Sequence, residues 1–171
     1  EYDQHGADNT MTTQRIVDGL RLAAYGNCII NNWTGAPGQL QFDAFEQFIG
    51  QVAQRWPDGI LFFVVLEPGA PILNAEQRKE MEALYSRWGP SMRATAQVVE
   101  GGNLWSLTAR SVMTALRLVQ RRPYPTRVFA DVNEGAELTS QYVARPDNDT
   151  SPDATQGLLA EIRRLRASPA A

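Results

Sequence analysis

Apolar and polar positions alternate along the chain in stretches that change period, and each change marks an element. Gln14 to Val17 and Leu20 to Tyr25 flank Asp18-Gly19, a strong short hairpin signal. A second turn, Gly26-Asn27, leads into the apolar stretch Cys28 to Trp33, so the three segments predict an antiparallel meander. Gly35, Pro37 and Gly38 then break the strand. Residues 39–56 switch to a helical period, with Phe45, Phe48, Ile49, Val52 and Trp56 on one face. Pro57-Asp58-Gly59 ends that helix. Ile60 to Leu66 is an unbroken apolar run, the pattern of a central strand buried on both faces.

The second half continues the alternation. Glu67 to Leu73 holds Pro68, Gly69 and Pro71 and reads as a loop. Asn74 and Gln77 form a capping box for a helix whose apolar face is Met81, Leu84, Tyr85 and Trp88, weakened near its end by Gly89-Pro90. Ala94 to Val99 predicts a second central strand. Glu100-Gly101-Gly102 is a tight turn, and Asn103 is the N-cap of a helix running to about Arg121. In that helix the small residues Ser106, Ala109, Ser111, Thr114 and Ala115 stand beside Leu107, Val112, Leu116 and Val119, which suits close approach to a sheet or a partner. A short strand over Arg127 to Asp131 and a short helix over Asn133 to Val143 follow.

The predicted organisation is an extension over residues 1–13, an α/β domain over 14–144, a polar linker over 145–157, and a C-terminal amphipathic helix and tail over 158–171. Leu158, Leu159, Ile162 and Leu165 trace the apolar stripe of that last helix. Strands alternating with helices predict an α/β fold. Its mixed β-sheet has an antiparallel N-terminal meander and a parallel portion built from βαβ units with right-handed crossovers. There are no internal repeats.

Composition narrows the function classes. A chain of 171 residues with 43% hydrophobic and 20% charged positions fits one ordinary globular domain. The net charge of −3 lacks the basic surplus of a nucleic-acid binder. Arg117, Arg121, Arg122 and Arg127 make a local basic group, read as the cations that complement a helix C-terminus rather than as phosphate ligands. Lys79 is the only lysine, a bias in the manner of a GC-rich genome. Cys28 is the only cysteine and sits in an apolar strand, so it reads as an inert buried thiol. No apolar run approaches the roughly 18 residues of a membrane span, and the polar residues 1–10 lack the apolar core of a signal peptide. They read as an upstream or added segment, and a cytoplasmic location is expected. Asn32-Trp33-Thr34 and Asn148-Asp149-Thr150 match the glycosylation sequon and are read as chance.

Certain residues carry a family likeness. An opening meander ends near Trp33-Thr34-Gly35, a strand runs into Leu66-Glu67-Pro68-Gly69-Ala70-Pro71, and Val98-Val99-Glu100-Gly101 precedes a helix. Over residues 14–143 this resembles the STAS-like proteins, relatives of anti-sigma-factor antagonists, and in particular their uncharacterised bacterial versions. The resemblance implies a βαβ-type sheet with helices and a regulatory, protein-binding role. Such antagonists carry a phosphorylatable serine at the N-terminus of the helix after the first buried strand. Here that place holds Gly69, Ala70, Pro71 and Asn74, with no hydroxyl, and no functional residue is carried over.

Candidate chemistry is sparse. His5 is the only histidine and lies in the extension, so the folded part has no Ser-His-Asp or Cys-His arrangement and no histidine-based metal site. No catalytic residue, metal ligand or cofactor is predicted. Glu67 and Glu100 follow the two central strands at their carboxyl ends, where open α/β sheets bind ligands, and the two acids can share a crevice. Gly101, Gly102 and Asn103 before a helix offer an anion cradle or, more simply, a turn and cap. Ser106 and Thr108 in that helix's first turn are hydroxyls where a phosphate would be favoured. Of the four tryptophans, Trp56 and Trp88 read as core and Trp105 as a possible partner anchor. Leu158, Leu159, Ile162 and Leu165 form a tentative interface, docking in cis or on another subunit.

The leading expectation is a non-enzymatic STAS-like interaction or regulatory module, self-associating or bound to a protein partner, with no nucleic acid and no membrane span. The alternative is a small-molecule or lipid-binding domain with a crevice near Glu67 and Glu100. A carboxylate enzyme ranks third.

Overall fold

A computed structural model describes residues 14–119 and 122–169, the side chains of 115–119 excepted. The extension with His5, the position of Arg121 and the side chains of Ala115, Leu116, Arg117 and Val119 lie outside the described residues.

Strands β1 (Gln14–Val17), β2 (Leu20–Tyr25) and β3 (Cys28–Trp33) form an antiparallel meander. Val17 pairs with Leu20 and Tyr25 with Cys28, so each turn is as short as its Asp-Gly or Gly-Asn dipeptide. At the second turn the chain crosses itself closely. Gly26 has φ 57°, and a Cβ there would stand 1.7 Å from the Ala144 carbonyl oxygen. Asn27 fastens the crossing: its side-chain amide donates to the Gly59 carbonyl (2.9 Å) and its Oδ1 accepts from the Ala144 N–H (2.8 Å).

The sheet continues in parallel through β4 (Ile60–Leu66), β5 (Met92–Val99) and β6 (Thr126–Phe129), and spatial order follows sequence order. Three helical crossovers join these strands: α1 (Gln39–Arg55), α2 (Ala75–Trp88) with a single 3-10 turn after it, and α3 (Leu104–Val119). Helices α4 (Val132–Ser140) and α5 (Ala154–Ala167) close the fold. The chain is therefore an α/β domain with a mixed six-stranded sheet, antiparallel at its start and parallel beyond.

The apolar run of β4 divides by the strand period of two. Ile60, Phe62 and Val64 enter one core with Phe45, Phe48, Ile49 and Val52 of α1 and Leu84 and Tyr85 of α2. Leu61, Phe63 and Val65 enter the opposite core with Val132 and Ala136 of α4 and Leu158, Ile162 and Leu165 of α5. Both faces of β4 are dry, which is why the run is continuous. On the first face an aromatic chain runs from Trp33 to Phe45 (centroids 6.0 Å apart), to Phe62 (5.4 Å) and to Tyr85 (5.4 Å).

Several expected boundaries move, β6 among them, which covers Thr126–Phe129 rather than Arg127 to Asp131. β5 starts at Met92. The short fourth helix starts at Val132, capped by Asp131, whose carboxylate accepts from the Asn133 and Glu134 N–H groups. In place of a linker over 145–157, residues 145–153 form an anchored loop and α5 begins at Ala154. Tyr25 donates to the Asp149 carboxylate, and Arg145 pairs with the same carboxylate at 2.8 Å. The apolar stripe of α5 starts only at Leu158, so the polar first turn of that helix resembles linker in the sequence. Leu158, Leu159, Ile162 and Leu165 are all buried against their own domain rather than offered to a second subunit. Gly157 sets this seat: a Cβ there would lie 2.1 Å from the Tyr25 hydroxyl.

No helix among the described residues is long and apolar enough to cross a membrane.

Candidate functional site

The first core borders an open space between α2 and α3. A cavity of about 440 Å³ lies there over the sheet, within the size range of small-molecule sites. Its floor is Trp33 of β3, Val64 and Leu66 of β4, and Gln97 of β5. Met81 and Tyr85 line the α2 wall, and Trp105, Ala109, Val112 and Met113 line the α3 wall. The loop after β4 contributes Ala70, Pro71, Ile72 and Leu73. Trp105, Ala109 and Val112 stand at i, i+4 and i+7, one stripe of α3. The stripe faces the cavity across from Met81 and Tyr85 of α2.

The cavity is polar at one end. Val64 pairs with Gln97, Thr95 with Thr126 and Leu66 with Val99, so Thr126 and Gln97 sit four and two residues before the end of β5 that Leu66 and the loop after β4 flank. Arg122 joins Gln97, Thr126 and Tyr85 at the polar end. Its guanidinium carbon is 4.1 Å from the centroid of the Tyr85 ring. Burial pushes the Tyr85 phenol up to about 12, opposed by the Arg122 charge and by side-chain hydrogen bonding to Gln97 and Arg122. Burial also raises Tyr124, again opposed by Arg122. Beside them, the buried Thr95 hydroxyl has no hydrogen-bond partner among the described residues. Charges on the lining are unbalanced: among the described residues, Arg78, Lys79 and Arg122 face Glu82.

The carboxylates Glu67 and Glu100 do converge, but on a cation. Arg166 of α5 reaches between them, with contacts of 3.1 Å to Glu67 and 2.6 Å to Glu100. Hydrogen bonding to Glu100 raises the Arg166 pKa, with the charge of Glu67 adding to it. The expected crevice near Glu67 and Glu100 is thus occupied by a side chain of the same chain, and neither acid lines the cavity. The pair ties α5 to the carboxyl end of the sheet.

The loop before α3 is also used internally. Asn103 Oδ1 accepts from the Ser106 N–H (2.9 Å) and the Ser106 hydroxyl (2.8 Å), and Arg110 donates to the Val99 and Gly101 carbonyls. Gly101, Gly102 and Asn103 serve as a turn and cap. Ser106 is fully buried, whereas Thr108 is exposed and donates to the Leu104 carbonyl. Trp105 is half-buried in the cavity wall. Burial raises the Cys28 thiol well above its ordinary value. Among the described residues, no group of three or more His, Cys, Asp or Glu side chains is placed to hold a metal ion.

The sequence reading missed this cavity because its parts resemble ordinary packing. Trp105 reads as a partner anchor, Ala109 and Val112 as residues packed on a sheet or a partner, and Arg122 as a helix-terminal cation. The one usable signal was a tryptophan followed one turn later by alanine, a large-small pair that leaves room. No family model, curated protein or solved structure matches this chain.

Proposed function

We propose that this domain binds a small, largely apolar molecule in the cavity between α2 and α3, as a ligand-binding module rather than a catalyst. The observation that carries the reading is the cavity itself. About 440 Å³ of space is lined by Leu66, Ile72, Trp105, Val112 and other apolar side chains, at the margin of the first core. Apolar surface left facing a concave space is favourable to cover, at roughly 25 cal/mol per Å². Binding of a neutral dye such as Nile red, with Val112→Trp as the blocked variant, tests it. Saturable binding to the parent chain, lost in the variant, supports the reading. Equal binding by both refutes it.

A second reading keeps the regulatory, protein-binding role that the STAS-like resemblance implies. Leu104 and Leu107, at the start of α3, are 80% and 52% exposed, more apolar exposure than a solvated helix face requires. Light scattering of the parent chain and of a Leu104→Ser, Leu107→Ser variant tests self-association through this face. A concentration-dependent oligomer that the variant abolishes would support it, and a strict monomer would count against it.

A further inference from the structure

We propose that the molecule held in the cavity is an anionic amphiphile with a single negatively charged head, of the fatty-carboxylate kind, with its head against Arg122 and its chain along the α3 stripe. This inference rests on the ligand-site reading above and adds the chemical class and the orientation.

Two independent features lead there. The first is the separation of polarity along the cavity. Register places Thr126 beside Thr95 and Gln97 beside Val64, four and two residues before the end of β5 that Leu66 and Ile72 flank. A uniformly apolar guest would place hydrocarbon against the Arg122 guanidinium and strip its water without replacing it, whereas an anionic head meets the charge. The Thr95 hydroxyl, buried with no partner, lies beside that end. The second is charge. The chain carries a net charge of −3, yet among the described residues the cavity lining carries Arg78, Lys79 and Arg122 against Glu82. A cationic lining on an acidic chain selects an anion from among otherwise similar apolar guests.

Arg122, rather than Arg78 or Lys79, is the head-group ligand because of its setting. Arg78 and Lys79 are exposed on α2, whereas Arg122 is half-buried. Its guanidinium carbon sits over the Tyr85 ring, a contact that restrains the side chain. A guanidinium held on an aromatic face can present paired N–H donors to a carboxylate. The alkyl chain then lies along Trp105, Ala109 and Val112, apolar side chains that line the same cavity.

The test compares three probes of equal chain length by isothermal titration: dodecanoate, dodecanol and dodecyltrimethylammonium, each below its micellar concentration. Probes are titrated into the parent chain, Arg122→Met, Arg122→Lys, the double variant Arg78→Gln with Lys79→Gln, and Val112→Trp. Dodecanoate is expected to bind the parent chain at least about tenfold more tightly than dodecanol, with the ammonium weakest. Arg122→Met removes that preference, while dodecanol binding stays within about twofold. Arg122→Lys keeps a reduced preference, which separates loss of charge from loss of fold. Equal binding of dodecanoate and dodecanol to the parent chain overturns the head-group inference and leaves the cavity reading standing. A preference lost in the Arg78, Lys79 double variant but kept in Arg122→Met overturns the orientation. Failure of all three probes to bind, or undiminished binding to Val112→Trp, overturns the cavity reading itself.

Discussion

The guanidinium of Arg122 lies 4.1 Å from the centre of the Tyr85 ring, so the cation at the polar end of the cavity and the phenol beneath it share one electrostatic environment. Burial lifts Tyr85 to about 12, and Arg122 works against that rise. Replacing Arg122 with Met therefore moves the Tyr85 ionisation further upward. Near-ultraviolet titration, with Tyr85→Phe to assign the signal, reads the shift. An unchanged or lowered midpoint would mean that the cation does not act on the ring.

The same tyrosines set the alkaline limit of stability. Tyr25 and Tyr85 both keep their protons to about 12 in the folded chain, against an ordinary tyrosine value near 10. The unfolded chain loses these protons first. The stabilisation is thus fully present below about pH 10 and is lost as pH rises toward 12, at up to about 1.4 kcal/mol per pH unit for each tyrosine. Urea unfolding across that window gives the slope. Stability rising with pH there would reverse the assigned sign.

Arg166 holds Glu67 and Glu100 together. Arg166→Met leaves the two carboxylates without their shared cation and is expected to destabilise the chain by about 1 kcal/mol, less at high salt. Adding Glu67→Gln and Glu100→Gln to that variant restores part of the loss, because the repelling charges are gone. Chemical denaturation of the single and triple variants measures both. A triple variant less stable than the single one would assign the effect to lost packing.

Gly157 lets α5 seat on β2, and a methyl there meets the Tyr25 hydroxyl. Gly157→Ala is expected to cost about 1–3 kcal/mol by overpacking, even though alanine favours a helix. Combining it with Tyr25→Ala makes room and reduces the penalty of the glycine change. Thermal unfolding of the four chains in that cycle separates the pair from its parts.

Much of the sheet was legible in the sequence because its strands carry strong, unambiguous patterns. Ile60–Leu66 reads as a strand buried on both faces from seven apolar side chains in a row, and that is where β4 lies. Asp18-Gly19 and Gly26-Asn27 specify turns by local backbone chemistry alone. Residues 145–157 were read as linker because their anchors are long-range: Asp149 gains meaning only from Tyr25, and Gly157 only from the ring that it lets pass. The candidate site was opaque for a related reason. Glu67 and Glu100 were placed correctly at adjacent strand ends, but nothing local shows that Arg166 will occupy the space between them. A cavity is a mismatch between α2 and α3, and no single segment records it.

Backbone amide correlation spectra of the uniformly labelled chain, recorded with and without dodecanoate, test the central claim most directly. Ligand-induced shifts are predicted at Val64, Leu66, Gln97, Trp105, Ala109 and Val112, with little change along α5 or around Glu67 and Glu100. Shifts confined to α5 and the Arg166 cluster, or no shifts at saturating probe, would contradict a ligand site between α2 and α3.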